Sequence, residues 1–133
     1  MWKKVALSFL SLITISSLGF FSFTRTEKIE VKQLDEISKD SKNEIVIIDL
    51  RTDKEVKKTG IIQGSIIKNY YDDDFDDFLK RLDKSKKYVV YCKAGVRSAS
   101  AYHKMKKINL DVKDYSGGIN EWKDLKLDTV FSK

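Results

Sequence analysis

Cys92 is the only cysteine of the chain. The residues around it, Tyr91-Cys92-Lys93-Ala94-Gly95-Val96-Arg97-Ser98, place a thiol, a glycine and two cations in one short stretch. A thiol is a nucleophile only as its thiolate, so its surroundings decide what it can do. The preceding Lys87-Tyr88-Val89-Val90-Tyr91 reads as a buried strand, and Ser98 to Ile108 as a helix that Ser98 caps. In an open parallel sheet the carboxyl ends of strands face the ligand crevice, which is where Cys92 would sit. A short loop running straight into a helix lets main-chain N–H groups converge on one point, with Gly95 permitting an unusual backbone angle. An anion belongs there, and the nearest is the Cys92 thiolate. Its pKa should fall because the helix dipole, Lys93 and Arg97 all favour the charged form. The competing expectation is a small hydrophobe in the core, a common fate of a lone cysteine. The strand, loop, glycine and cations taken together weigh against it.

The remaining inventory is thin. A single cysteine leaves no intrachain disulfide and no Cys-cluster zinc site, and no metal or other cofactor is expected. A Ser-His-Asp site would have to use His103, the only histidine. It falls about two turns into the helix after the loop, on an expected solvated face. Asp72, Asp73, Asp74, Asp76 and Asp77 invite a metal reading, but they lack the glycine turn and distal glutamate of a calcium loop. They read instead as acids at the positive end of a helix whose Phe75 and Phe78 enter the core. Asp49 and Arg51, at a strand end, are expected to organise loops through hydrogen bonds rather than to react. Trp122 reads as core or as a lid over the site, with core favoured. Tyr70-Tyr71 and the scattered lysines do not make the surface of a nucleic-acid binder.

These residues need a frame, and the pattern supplies one. Glu27 to Val31 reads as a short opening strand and Lys32 to Lys39 as a helix with Leu34 and Ile37 inward. Glu44 to Leu50 is a near-continuous β-branched run, suited to a strand buried on both faces of a parallel sheet. Thr52 to Lys58 looks helical, with Thr52 as N-cap and Glu55 three residues on. Gly60 and Gly64 bracket a turn before the short strand Ser65-Ile66-Ile67. Asp72 to Leu82 is amphipathic, Val112 to Tyr115 is a strand, and Gly117-Gly118 opens a last short helix carrying Trp122. Strands interleaved with helices imply an α/β fold, an open parallel sheet with helices on both faces.

The chain has 133 residues, room for one ordinary domain. Apolar residues make up 41% and charged residues 35%, which argues against wholesale disorder and against a polytopic membrane protein. The net charge of +6 is modest and reads as solubility before nucleic acid. Met1-Trp2-Lys3-Lys4 is a short basic start, and Val5 to Phe23 then carries no charge. Residues 1–23 are therefore expected to be a signal peptide or a membrane anchor, with residues 24–133 as the domain. Cleavage is slightly favoured, since serines dilute the run and Ser17-Leu18-Gly19 offers small residues to a peptidase. The domain is expected to be exported to the periplasm or cell envelope, touching the membrane only if the segment is retained.

The Cys92 to Ser98 loop resembles the active-site loop of single-domain rhodaneses, the sulfurtransferases. Val46 to Arg51 resembles that family's strand ending in Asp-Val-Arg, and Tyr115-Ser116-Gly117-Gly118-Ile119 with Trp122 resembles its closing Gly-Gly element. Gly60-Ile61-Ile62-Gln63-Gly64-Ser65 stands where the family has Gly-His-Ile-Pro-Gly-Ala. The resemblance covers about residues 29–124. It implies a persulfide cycle, in which Cys92 takes sulfur from an anion such as thiosulfate and an acceptor removes it. That acceptor would be cyanide, a thiol or a protein cysteine. Lys93, Ala94, Gly95, Val96, Arg97 and Ser98 would form the substrate-binding loop, with Asp49 and Arg51 in support. Cysteine-dependent phosphatases and arsenate reductases share a Cys-loop-Arg cradle, but place one more residue between the two than the four found here. A smaller ring of amides suits one sulfur atom better than a tetrahedral phosphate. A non-turnover sulfur relay or rhodanese-like binding module is the other alternative.

Overall fold

The computed structural model describes residues 25–131, so the expected signal or anchor segment lies outside the described residues. The elements run α1 (Val31–Lys39), β1 (Ile45–Asp49), α2 (Asp53–Thr59), β2 (Ile66–Ile67), α3 (Phe75–Lys80), β3 (Lys87–Tyr91), α4 (Val96–Lys107), β4 (Asp111–Asp114) and α5 (Gly118–Asp124). The four strands form one parallel sheet in the order β2-β1-β3-β4. Asp49 stands level with both Tyr91 and Ile67, so the carboxyl ends of three strands open on the same edge.

The β-branched runs form the central strands because both faces are covered. Along β3, Tyr88, Val90 and then Cys92 join one core with Ile48, Phe75, Leu79, Ala101 and Met105, under α3 and α4. Val89 and Tyr91 point the other way, into a second core with Leu34, Ile119 and Trp122, under α1 and α5. Helices thus pack on both faces of an open parallel sheet, as the alternating pattern predicts.

Several boundaries differ from the sequence reading, each for a local reason. The expected strand Glu27–Val31 reduces to a single parallel bridge between Lys28 and Asp114, because only the end of β4 is there to pair with. The helix expected over 72–82 begins only at Phe75. Lys68 holds Asp72 at 3.1 Å and Asp74 at 2.5 Å, so those acids belong to the preceding turn. Asp76 pairs with Lys104 at 2.8 Å. The acidic cluster is therefore tied to lysines on two sides. In contrast, α2 starts as predicted: Thr52 Oγ1 accepts from the Glu55 amide, and the Glu55 carboxylate accepts from the Thr52 amide, a complete capping box.

Candidate active site

β3 delivers Cys92 to the sheet edge, and the chain reverses at once. Gly95 takes φ +98 and becomes the N-cap of α4. A Cβ on Gly95 would come within 2.5 Å of the Ser116 carbonyl oxygen, so both the angle and the space demand glycine. α4 consequently begins at Val96, not at Ser98, and Ser98 sits inside the first turn rather than capping it. Its side chain is buried, and its hydroxyl donates to the Gly95 carbonyl at 3.2 Å.

The reversal aims the loop amides inward. The Gly95 N–H donates to Cys92 Sγ at 3.2 Å. Cys92 is only 1% exposed, closed over by its own loop at the strand end. Burial pushes the thiol up, but the main-chain N–H groups of Ser98, Gly95 and Ala94, with the Ser98 hydroxyl, more than offset it. The thiol is held below its ordinary value. Cys92 is thus both a buried core residue and a thiol whose charged form the loop amides favour.

The chief favourable contributions are amides, which corrects the weight the sequence reading gave to cations. Lys93 is exposed. Arg97 makes a two-pronged pair with Glu55, at 2.8 and 2.7 Å, and its charge is matched there. Hydrogen bonding from Arg97 is the largest cause that draws the Glu55 carboxyl down to about 2, with the Thr52 contacts adding to it against a burial cost. Glu55 therefore does two jobs, closing the capping box of α2 and anchoring the first turn of α4. Sequence spacing revealed only the first, because the partner lies far along the chain. The Tyr71 ring, 67% exposed, covers the Arg97 guanidinium at 5.8 Å.

The loop is also held from behind. The N–H groups of Ile119 and Asn120, at the start of α5, donate to the carbonyls of Cys92 and Lys93 at 2.9 and 3.1 Å. With these carbonyls engaged outward, the following amides are free to face the sulfur. Gly118 makes the approach possible: φ is +62, and a Cβ would lie 2.6 Å from the Cys92 carbonyl oxygen. Neither this clamp nor the Glu55 contact was singled out from sequence, although the Gly117-Gly118 pair was the available signal for the clamp.

Asp49 and Arg51 form the scaffold expected of them. Arg51 binds Asp49 Oδ2 at 2.7 Å and the Gly60 carbonyl at 2.7 Å, and Tyr91 OH donates to the same Asp49 oxygen at 2.7 Å. Tyr91 OH in turn accepts from the Ile62 amide at 3.0 Å. This buried network fixes the strand end that precedes the nucleophile. Trp122 is core, its Nε1 donating to the Asp128 carbonyl at 2.9 Å. His103 is half-buried rather than fully solvated, edge-on to Tyr102.

A first prediction follows from the amides. With a single cysteine, thiolate absorbance in the ultraviolet reports Cys92 alone. The thiolate should persist as pH falls well below the free value of about 8.5, and Ser98→Ala should move the midpoint upward. A midpoint at or above the free value would show that the amides do not act on the sulfur.

Comparison with known proteins agrees with this geometry. The family described as Rhodanese-like domain matches residues 30–125. No curated protein matches the chain. A rhodanese-related protein of Thermoplasma volcanium is 28% identical, with 80% of this chain and 99% of that one covered and a TM-score of 0.69. A rhodanese-like domain protein of Staphylococcus aureus is 27% identical, with 78% and 98% covered and a TM-score of 0.65. A protein of unknown function described as a possible tyrosine phosphatase, from Rhodopseudomonas palustris, is 23% identical, with 87% and 93% covered and a TM-score of 0.70. At that identity it bears on the fold alone.

Proposed function

Because this chain belongs to the rhodanese-like domain family, whose members are generally associated with sulfur-containing substrates, we propose that it transfers sulfane sulfur through a persulfide on Cys92. The observation that carries the reading is the amide-lined sulfur: Sγ accepts from the Gly95 N–H, and the amides of Ala94 and Ser98 also favour the thiolate. The thiolate attacks the outer sulfur of thiosulfate or a similar donor. The donor's S–S bond breaks, sulfite leaves with the electron pair, and Cys92 carries one added sulfur. A thiol, cyanide or protein cysteine then attacks that sulfur, and Cys92 leaves again as thiolate.

The residues divide the work. The amides of the Lys93 to Arg97 loop bind the developing negative charge, as an oxyanion hole does. The exposed Lys93 draws in the anionic end of the donor. Ser98 supports the thiolate through its amide and hydroxyl. Asp49 and Arg51 hold the strand end. No separate general base is required, since the nucleophile is already acidic. Only four residues separate Cys92 from Arg97, which supports sulfur over phosphate as the group cradled. With residues 1–23 read as an export segment, the reaction takes place outside the cytoplasm.

Intact mass of the full chain after thiosulfate tests the reading. The mass should rise by one sulfur atom and return on adding cyanide, with thiocyanate released. An unchanged mass after exposure to donor would overturn it.

A further inference from the structure

Arg97 carries the only guanidinium of the Cys92 to Ser98 loop, and a planar fork of this kind is well suited to a tetrahedral oxyanion. The fold turns the fork away from that use. Nη1 donates to Glu55 Oε2 at 2.8 Å and Nη2 to Glu55 Oε1 at 2.7 Å, so both prongs end on one carboxylate. The Tyr71 ring covers the guanidinium at 5.8 Å, and the Arg97 side chain is only 13% exposed. Glu55 is itself tied down. Its Oε2 also accepts from the Thr52 amide and the Thr52 hydroxyl, each at 2.9 Å, which fixes the carboxylate to the first turn of α2.

On the sulfur-transfer reading of the loop, on which this inference rests, the ion pair sorts ligands. An oxyanion recognised through Arg97 must first part the guanidinium from a carboxylate that stays in place. It must then bear the repulsion of that carboxylate. A donor that presents a sulfur atom to the loop amides needs neither. The opposition does not lapse near neutral pH, because hydrogen bonding from Arg97 draws the Glu55 carboxyl down to about 2. We propose that Glu55 is a specificity-determining residue: by holding the Arg97 fork, it keeps the loop from recognising tetrahedral oxyanions through a guanidinium and leaves recognition to the amides around the sulfur. This discrimination is separable from the four-residue spacing of the loop, since it depends on a residue of another helix.

Inorganic phosphate is the probe, titrated at pH 7 into the isotopically labelled full chain while amide resonances of Ala94, Gly95 and Ser98 are followed. Glu55→Gln releases the fork but keeps the capping box, in which glutamine also serves. It should bind phosphate at least about tenfold more tightly than the parent chain, the factor that one charge-assisted hydrogen bond carries. Asp53→Asn removes the same charge from an exposed position two residues away and should bind as the parent does. The double variant Glu55→Gln with Arg97→Gln has no fork to release and should also bind as the parent does. Equal binding by Glu55→Gln and the parent would overturn the proposal. So would the same gain in Asp53→Asn, or a gain that survives in the double variant. The titration involves no turnover, so a chain that takes no sulfur from thiosulfate would defeat the sulfur-transfer reading without deciding the role of Glu55, which the phosphate affinities decide.

Discussion

Cys92→Ser should lower sulfur transfer from thiosulfate to cyanide by at least about a thousandfold, because the step that makes the covalent intermediate has no other nucleophile to use. The chain contains no second thiol to substitute for it. Stability should change little. A serine hydroxyl fits the space and can accept from the Gly95 N–H as the sulfur does at 3.2 Å. The cost of exchanging the two groups in a buried but amide-lined position is about 1 kcal/mol. The check is paired: steady-state turnover alongside thermal unfolding. Turnover retained within tenfold of the parent, in a variant that melts normally, would remove Cys92 from the mechanism.

Gly118→Ala should have the second largest effect, and it separates the clamp from the nucleophile. The substitution forces an L side chain into φ +62 and places its Cβ 2.6 Å from the Cys92 carbonyl oxygen. Strain of this kind costs about 1–3 kcal/mol, and here backbone rather than a flexible side chain must move. Unfolding should shift down by roughly 10 °C for a domain of this size. Gly64→Ala is the control. Its φ is +81, but the nearest atom to a Cβ is the Ser38 carbonyl oxygen at 3.9 Å, so only the angle is penalised. Gly118→Ala should therefore be clearly less stable than Gly64→Ala. It alone should also move the Cys92 thiolate midpoint upward, because the displaced carbonyls no longer turn the amides inward. Equal effects of the two substitutions on that midpoint would mean that the clamp does not shape the loop.

Much of this architecture is legible in the sequence where the signal is local. The runs Ile45–Asp49 and Lys87–Tyr91 announce central strands because burial on both faces requires continuous apolar character. The Thr52 and Glu55 spacing announces a capped helix, which the structure forms. The thiol, loop and glycine announce an anion site. What escapes the sequence is long-range. Nothing in the spacing says that Arg97 spends its charge on Glu55, or that the sulfur is closed over to 1% exposure. The α4 boundary escapes for a related reason: Gly95, not Ser98, caps the helix, with φ +98 and Ser116, two residues past β4, pressed against it, a contact that spacing does not show. Likewise Asp72 and Asp74 read as helix acids until Lys68 is seen holding them in a turn.

The contact between α5 and the loop has a consequence for how the protein comes into being. The carbonyls of Cys92 and Lys93 are gripped by Ile119 and Asn120, which follow them in the chain only after β4. A growing chain still lacking those residues would carry its cysteine in an unshaped loop, with ordinary acidity and no seat for an extra atom. The loop would take its shape only once synthesis had passed Asn120.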